Sequence, residues 1–306
     1  MQPQSPEKMV YLDHFQSEII NRRFWELLST VEKMGLFKPN QFFFFLILLH
    51  ILLMDAAGWF VLWYFGISKT SFLIATVLLT FAQSQAGFLQ HDLGHHSVFS
   101  NPKWNHLWHE FVMCYLKGGS ANWWSLHHSQ HHAKPNCFEK DPDVSFHPYI
   151  LSLGETLSLE LGLQKKKYMP YNYQHKSFSP PTSSLPLIVL PIIQVYTFYF
   201  IFQRKLWREI AWILAYFIRF FIAFNAIFGF GFKGVLGYLF LLRVLESIIF
   251  IWISQTNHLP MPIDHDKNMD WFSTQLQSTC NVNQSFFNDW VTGHLNFQIE
   301  HHLFPT

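Results

Sequence analysis

Charge is scarce in this chain: 13% of its 306 residues are Asp, Glu, Lys or Arg, and the formal net charge is +1. A surface that grips a phosphate backbone needs a marked cationic excess, so no nucleic acid is expected as a partner. Cysteine is scarce too. Cys114, Cys137 and Cys280 are odd in number, widely spaced and without a C-x-x-C pair, which argues against a disulfide framework and a thiolate metal site. The first forty residues lack the short apolar core of a signal peptide, so membrane entry must use an internal segment, and both ends are expected in the cytosol. There is no repeat of fixed period and no low-complexity linker. What abounds is apolar and imidazole: 50% of the residues are hydrophobic, 19% are aromatic and 18 are histidine. That composition points away from a soluble domain and toward an integral membrane protein.

A membrane span needs ~20 apolar residues. FFFFLILLHILLMDAAGWFVLWYF (42–65) meets this with His50 and Asp55 inside it; after GISKT, SFLIATVLLTFAQSQAGF (71–88) returns and ends beside His91. The two make a hairpin. Before them Ile19, Ile20, Phe24, Leu27, Leu28 and Val31 recur at helical spacing among charges, as in an amphipathic helix that either lies in the membrane interface or docks on protein. Residues 89–184 hold most of the polar residues and read as an extramembrane region. Three apolar stretches follow, 185–202, 209–228 and 234–253. If the histidines on either side share one aqueous face, an even number must cross. Pro186, Pro191 and the cationic QRKLWR after them mark 185–202 as the interfacial one. GFGFKG (229–234) then turns a second hairpin, with Arg243 and Glu246 able to pair at i, i+3. The expected fold is all-α, with four transmembrane helices in two hairpins, interfacial helices and a cytosolic helical cap. Residues 1–40 form an amphipathic segment and 41–306 one membrane domain.

Histidine is concentrated at three places. HDLGHH (91–96) puts His91 and His95 at i, i+4; WWSLHHSQHH (123–132) puts His128, His131 and His132 at i, i+3, i+4; QIEHH (298–302) repeats those offsets with Gln298, His301 and His302. Such spacings stack side chains on one helix face, which is what a polydentate ligand set needs. With neutral imidazole and no thiolate, Zn, Cu, Fe or Ni suit the donors. One tetrahedral zinc uses three or four donors, so this supply predicts two metals. His258 in SQTNHLP follows the last span directly and can reach the same face. Asp92 and Glu300 adjoin ligand candidates and can orient imidazoles as outer acceptors. His294 sits one turn before Gln298, in an outer or packing role. His106 and His109 flank Trp108 and are assigned to packing; His96 and His127 fall outside the repeated offsets; His14, His50, His147, His175 and His265 stand alone.

At HDLGH, HSQHH and QIEHH the chain resembles the membrane fatty acid desaturases of the front-end type, the group that includes the vertebrate delta-5 and delta-6 acyl-CoA desaturases. The likeness extends through NPKWNHLWHEFV, LKGGSANWW, HHAKPNCFEKDPDV, QKKKYMPYN, NMDWFSTQLQSTCNV and FNDWVTGHLNFQIEHHLFP, and Gln298 marks this group against desaturases with histidine there. The resemblance implies two non-haem iron ions at the cytosolic face of the endoplasmic reticulum membrane, O2 as co-substrate, and a new double bond between the carboxyl end of a polyunsaturated acyl chain and an existing one. It implies His91, His95, His128, His131, His132, His258, Gln298, His301 and His302 as metal ligands. It also implies an acyl-CoA or acyl-lipid substrate, whose headgroup Lys134, Lys140 and Lys165–Lys167 can meet. Relatives carry a fused cytochrome b5 domain with H-P-G-G, a motif this sequence lacks, so electrons are expected from a separate cytochrome b5 and its reductase. Relatives also continue past FPT, so a C-terminal truncation is expected.

Other classes fit less of the chain. A catalytically inactive paralogue or fragment that binds acyl-CoA or a partner desaturase is the alternative. HDLGH as a variant of the zinc-protease H-E-x-x-H leaves two histidine clusters unexplained. A hydroxylase shares the oxidant and differs in product mass, by gain of oxygen instead of loss of two hydrogens.

Overall fold

A computed structural model describes residues 6–144, 152–163 and 185–305, with the side chains of 6–17 and 185–193 outside the description. Among the described residues there is no strand, only an isolated bridge between Cys137 and Asp264. The helices are α1 (Pro6–Lys33), α2 (Gln41–Phe65), α3 (Lys69–Gly94), α4 (Pro102–Glu110) continuing as a π-helix (Phe111–Leu116), α5 (Ala121–Ala133), α6 (Glu155–Leu163), α7 (Leu185–Arg204), α8 (Trp207–Phe221) continuing as a second π-helix (Ile222–Ile227), α9 (Gly231–Thr256), α10 (Trp271–Ser278), α11 (Phe286–Thr292) and α12 (Gln298–Leu303).

Four helices are long and apolar enough to cross a membrane: α2, α3, α8 with its π-helix, and α9. They make the two hairpins expected. The turn of the first is fixed by Ser68 and Ser71, whose hydroxyls each accept from the other's backbone N–H (3.2 and 2.9 Å), the reciprocal cap that starts α3. α3 is the central helix, with 67% of its apolar stretch buried against 22%, 28% and 28% for the other three. Leu62, Ala75 and Leu79 of the first hairpin meet Phe220, Phe224, Val235, Tyr238 and Leu242 of the second in one apolar core. Since lipid offers no hydrophobic drive between helices, this close packing of rings and small residues is what joins the hairpins. The interfacial placement of 185–202 turns in part on side chains outside the described residues.

Arg219 and Arg243 inside the spans are each paired with a carboxylate, as a low dielectric requires. Arg243 Nη1 meets Glu246 Oε2 at 2.9 Å, the pair foreseen at i, i+3, and Arg219 Nη1 meets Asp55 Oδ2 at 3.1 Å. The same rule corrects one expectation. Residues 102–120, read as extramembrane, pack along α3, and Lys117 donates to Gln83 O (3.0 Å) and to Glu246, both within spans. The chain dips to that ion pair before rising into α5.

α1 is amphipathic and docks on protein at Phe24, whose ring lies 5.4 Å from Trp271, 5.4 Å from Phe272 and 5.9 Å from Phe304. Of its apolar positions Ile19, Ile20, Leu28 and Val31 are half-buried and Leu27 is exposed.

Candidate metal centre

Four elements deliver the imidazoles. The last turn of α3 supplies His91, and His95 is its C-terminal cap, with its N–H bonded to His91 O. Gly94 of HDLGH is forced by packing: a Cβ there would stand 2.2 Å from the Trp124 ring. That ring stacks on His128 at 4.3 Å and meets His91 edge-on at 5.6 Å, so the first two boxes are locked together through it. α5 starts at Ser120, whose hydroxyl accepts from Trp123 N and donates to buried Glu209; the same carboxylate accepts from Asn122 N. This pinned N-terminus sets the rotation of α5 and hence the aim of His128, His131 and His132. His258 follows α9 directly, where Asn257 Nδ2 ties the chain to Cys280 O (2.8 Å) and Leu295 O (3.2 Å). α12 carries His301 and His302.

The side chains gather into two groups. His91, His95, His128, His132 and His301 form one, and His131, His258 and His302 the other, with the ligand atoms of each within 4.8 Å of one another. The spacing within a box does not keep it together: α5 sends His128 and His132 to the first group and His131 to the second, and α12 divides His301 from His302. His132 and His302 stack at 4.2 Å across the two. Gln298, the remaining candidate, is buried beside the second group with its Nε2 3.0 Å from His258 Nε2.

The donor set fits metal ions. His132 Nε2 lies 3.1 Å from both His128 Nε2 and His301 Nε2, and one proton cannot serve both contacts. Metal–imidazole bonds of ~2.1 Å put neighbouring ligand nitrogens about 3.0–3.4 Å apart, so this spacing is the edge of a coordination shell. Buried His95 Nε2, His132 Nδ1 and His302 Nε2 have no hydrogen-bond partner. Burial holds His95, His128, His132, His301 and His302 well below the usual imidazole range and His258 at about 3, leaving them neutral, the form that binds metal. His131 differs. Burial alone depresses it, but the charges of Asp141 and then Asp143, with the Asp141 hydrogen bond, push it up to about 9.

Each ring of the second group gives its Nδ1 proton to an outer acceptor: His131 to Asp141 Oδ2 (2.9 Å), His258 to Ser278 O (2.8 Å) and His302 to Gln275 Oε1 (2.9 Å). Such partners fix the tautomer and turn Nε2 inward. Asp141 is itself held by Asn136 N (2.8 Å) and Asp143 N (2.9 Å), and Gln275 Nε2 donates to His132 O (3.0 Å), which leaves its oxygen free to accept.

Asp141, Asp143, Gln275 and Ser278 were not singled out from sequence. Two aspartates in DPDV soon after HSQHH were a usable signal; Gln275 and a serine carbonyl offered none. Of the nominated carboxylates, Asp92 Oδ1 meets His91 Nδ1 at 3.5 Å, the longest of these outer contacts, while Glu300, exposed, accepts from Asn281 Nδ2 (2.7 Å) instead of orienting an imidazole. Lys134 and Lys140 both pair with Asp266, and Lys165–Lys167 lie outside the described residues, as do His147, His175 and the side chain of His14. His109 is buried, with Nε2 2.7 Å from Gln90 Oε1 and its ring against Trp124; His106 packs on His96; His127 contacts Trp123 O; His265 pairs with Glu160; His294 packs on Phe43; and His50 accepts from Trp290.

A family model described as fatty acid desaturase matches residues 68–306, which covers α3, the second hairpin and every imidazole of the two groups. A mouse protein described as fatty acid desaturase 2-like protein FADS2B is 45% identical over 283 residues, 92% of this chain and 57% of that protein. The chain thus spans little more than half of that relative's length. With the family model reaching from the start of α3 through the last histidine box, the chain belongs to the fatty acid desaturase family.

Proposed function

We propose that this membrane protein is an oxygen-dependent acyl desaturase of the front-end type, working with two non-haem iron ions. His91, His95, His128, His132 and His301 would hold one, and His131, His258 and His302, with Gln298 beside them, the other. The observation that carries the reading is the pair of adjacent all-imidazole groups on helices that emerge from four spans. When bound, iron supplies with O2 the oxidising power to take hydrogen from an unactivated C–H bond.

The chain's own residues prepare that chemistry. Asp141, Gln275 and Ser278 O each hold an Nδ1 proton, so three Nε2 lone pairs face one point. His131, His258 and His302 are 2%, 3% and 0% exposed, which keeps bulk water from a reaction that has to stay on the acyl chain. Phe24 and Phe37 close over Phe304, directly after the last box. The substrate would be an acyl-CoA or acyl-lipid, drawn from the bilayer. By family resemblance the electrons would come from a separate cytochrome b5 and its reductase, at the cytosolic face of the endoplasmic reticulum, with residues 41–306 as the desaturase domain.

The test is the fatty-acid profile of yeast expressing the chain and fed linoleate and longer polyunsaturates, beside His131→Ala and with iron counted in the purified protein. A new front-end double bond absent from the variant is expected, and its position names the regiochemistry. Turnover retained in His131→Ala overturns the ligand assignment. A folded, iron-free chain without product, beside an active relative, makes it a non-catalytic binder of acyl-CoA.

A further inference from the structure

Residues 281–293 form a finger whose two ends are fixed beside the imidazole groups. Asn281 Oδ1 accepts from Ile299 N (2.9 Å), Val282 N donates to Asn296 O (3.0 Å), and Cys280 N donates to Asn257 O (3.0 Å), next to His258. Between these ends α11 runs down the outside of the first hairpin. Trp290 Nε1 donates to His50 Nε2 (3.1 Å), its ring stacks on Phe81 at 5.7 Å, and its carbonyl accepts from Gln85 Nε2 (2.7 Å). At the returning end Gly293 has φ +56° and touches Phe88, where a Cβ would stand 2.3 Å from the Phe88 Cβ. Only glycine lets the finger lie this close to α3.

Helix geometry gives the depth. Phe81 precedes His91 by ten residues, ~15 Å along α3. α3 is ~39 Å long against a hydrocarbon core of ~30 Å, so even with the whole ~9 Å excess emerging at its Gly94 end, which lies ~20 Å beyond Phe81, Trp290 meets α3 about 10 Å inside the apolar layer. The backbone rises from Gln85 at Trp290 O to Phe88 at Gly293, and Phe287 lies beside the Trp290 ring (6.2 Å), at the depth that ring marks.

The faces of α11 are inverted relative to a helix in water. Its polar side turns inward: Asp289 Oδ1 accepts from Asn296 Nδ2 (2.9 Å), and Thr292 bonds Asn296 Oδ1 (3.1 Å). Its outermost side chains are Phe286, 92% exposed and the most exposed large hydrophobic among the described residues, and Phe287, 63% exposed. Phe42, Phe45 and Leu46, near the same end of α2, are exposed as well. Water outside would favour the opposite arrangement.

We propose that the finger is inserted into the leaflet on the side of the imidazole groups, with Phe286 and Phe287 among lipid acyl chains below the headgroup boundary. The finger's ends are bonded beside His258 and to α12, so the leaflet becomes part of the support of the second imidazole group. This stands independently of the proposed reaction, because it needs only the spans and the finger.

The test places the photo-crosslinking residue p-benzoylphenylalanine at position 286, and separately at 287, of the whole chain in microsomal membranes. Phe286 makes so little packing contact that the swap leaves the fold alone. Irradiation and mass spectrometry of the finger peptide are expected to give phospholipid adducts, as at lipid-facing Leu53, and none at exposed Lys267 of the aqueous loop. Capture of a second copy or another protein overturns the proposal. So does absence of lipid adducts at 286 and 287 while Leu53 yields them.

Discussion

The two imidazole groups share helices, yet they are held in different ways. In the group of three, every ring is steered by a hydrogen bond to an acceptor outside it. In the group of five, His95 Nε2 and His132 Nδ1 have no partner, and the nearest carboxylate, Asp92, is 3.5 Å from His91. Trp124 and the crowding of the rings position that group. One group is preorganised by its surroundings, the other by number. With three donors each is indispensable; with five, the loss of one leaves a full tetrahedral complement.

That contrast is tested most severely by removing one ring from each. His131→Ala is expected to halve the bound iron and take product below detection. His95→Ala is expected to weaken the larger site while both irons still bind at saturating metal. Equal iron loss in the two variants would erase the distinction. Asp141→Asn comes next, with metal affinity and turnover down by about 10–100-fold, the usual cost of losing an outer carboxylate. It also carries a pH signature. His131 titrates at about 9 without metal, so at pH 7 a proton must leave before the smaller group can bind. Affinity there should rise about tenfold per pH unit up to ~9 and then level off, while the larger group, already neutral, stays flat. In Asp141→Asn burial dominates and the slope disappears. Chelator competition between pH 6 and 9 reads both; a flat wild-type profile contradicts the raised His131.

Much of this was legible in the sequence, for reasons of periodicity. Two spans of apolar residues and a turn are enough to call a hairpin, and i, i+3, i+4 histidines can only lie on one helix face. What sequence does not carry is direction across that face. His131 and His132 are neighbours about 100° apart on α5, and whether they share a metal depends on how Glu209 rotates the helix, a contact 89 residues from Ser120. Outer acceptors are hidden for the same reason. Asp141 reaches back over ten residues to His131, but Gln275 comes from α10 and its role depends on a backbone carbonyl 143 residues away. Lys117 was misplaced because composition marks it as aqueous, while its partners Gln83 and Glu246 lie within spans.

Gln275 gives a smaller and sharper test of the preorganised group. Its amide donates to His132 O and accepts from His302 Nδ1, so it touches a ring bearer of each group. Gln275→Leu removes both contacts and should lower metal affinity about tenfold, the lower end for outer partners. Gln275→Glu keeps the acceptor for His302 but turns a second oxygen on the His132 carbonyl. If its cost falls on the smaller group, the leucine and glutamate variants should differ there; if Gln275 only fills space, both should lower thermal stability of the metal-free chain and leave metal affinity alike.

The smallest effect is expected at the carboxylate that sequence adjacency favoured. Glu300 stands between Ile299 and His301, yet α12 points it outward, where it accepts from Asn281 Nδ2 at 2.7 Å. Asn281 in turn accepts from Ile299 N at 2.9 Å, so Glu300 closes an exposed clamp at the start of α12 and holds no ring proton. Glu300→Gln keeps an oxygen for Asn281, and iron content and turnover should stay within about twofold of the parent, since an exposed hydrogen bond contributes little beyond what water replaces. Set beside Asp141→Asn, the same chemical change made at two carboxylates separates position in the chain from position at the metal. A loss at Glu300→Gln as large as at Asp141→Asn would mean that α12 turns when metal binds and brings this carboxylate to His301.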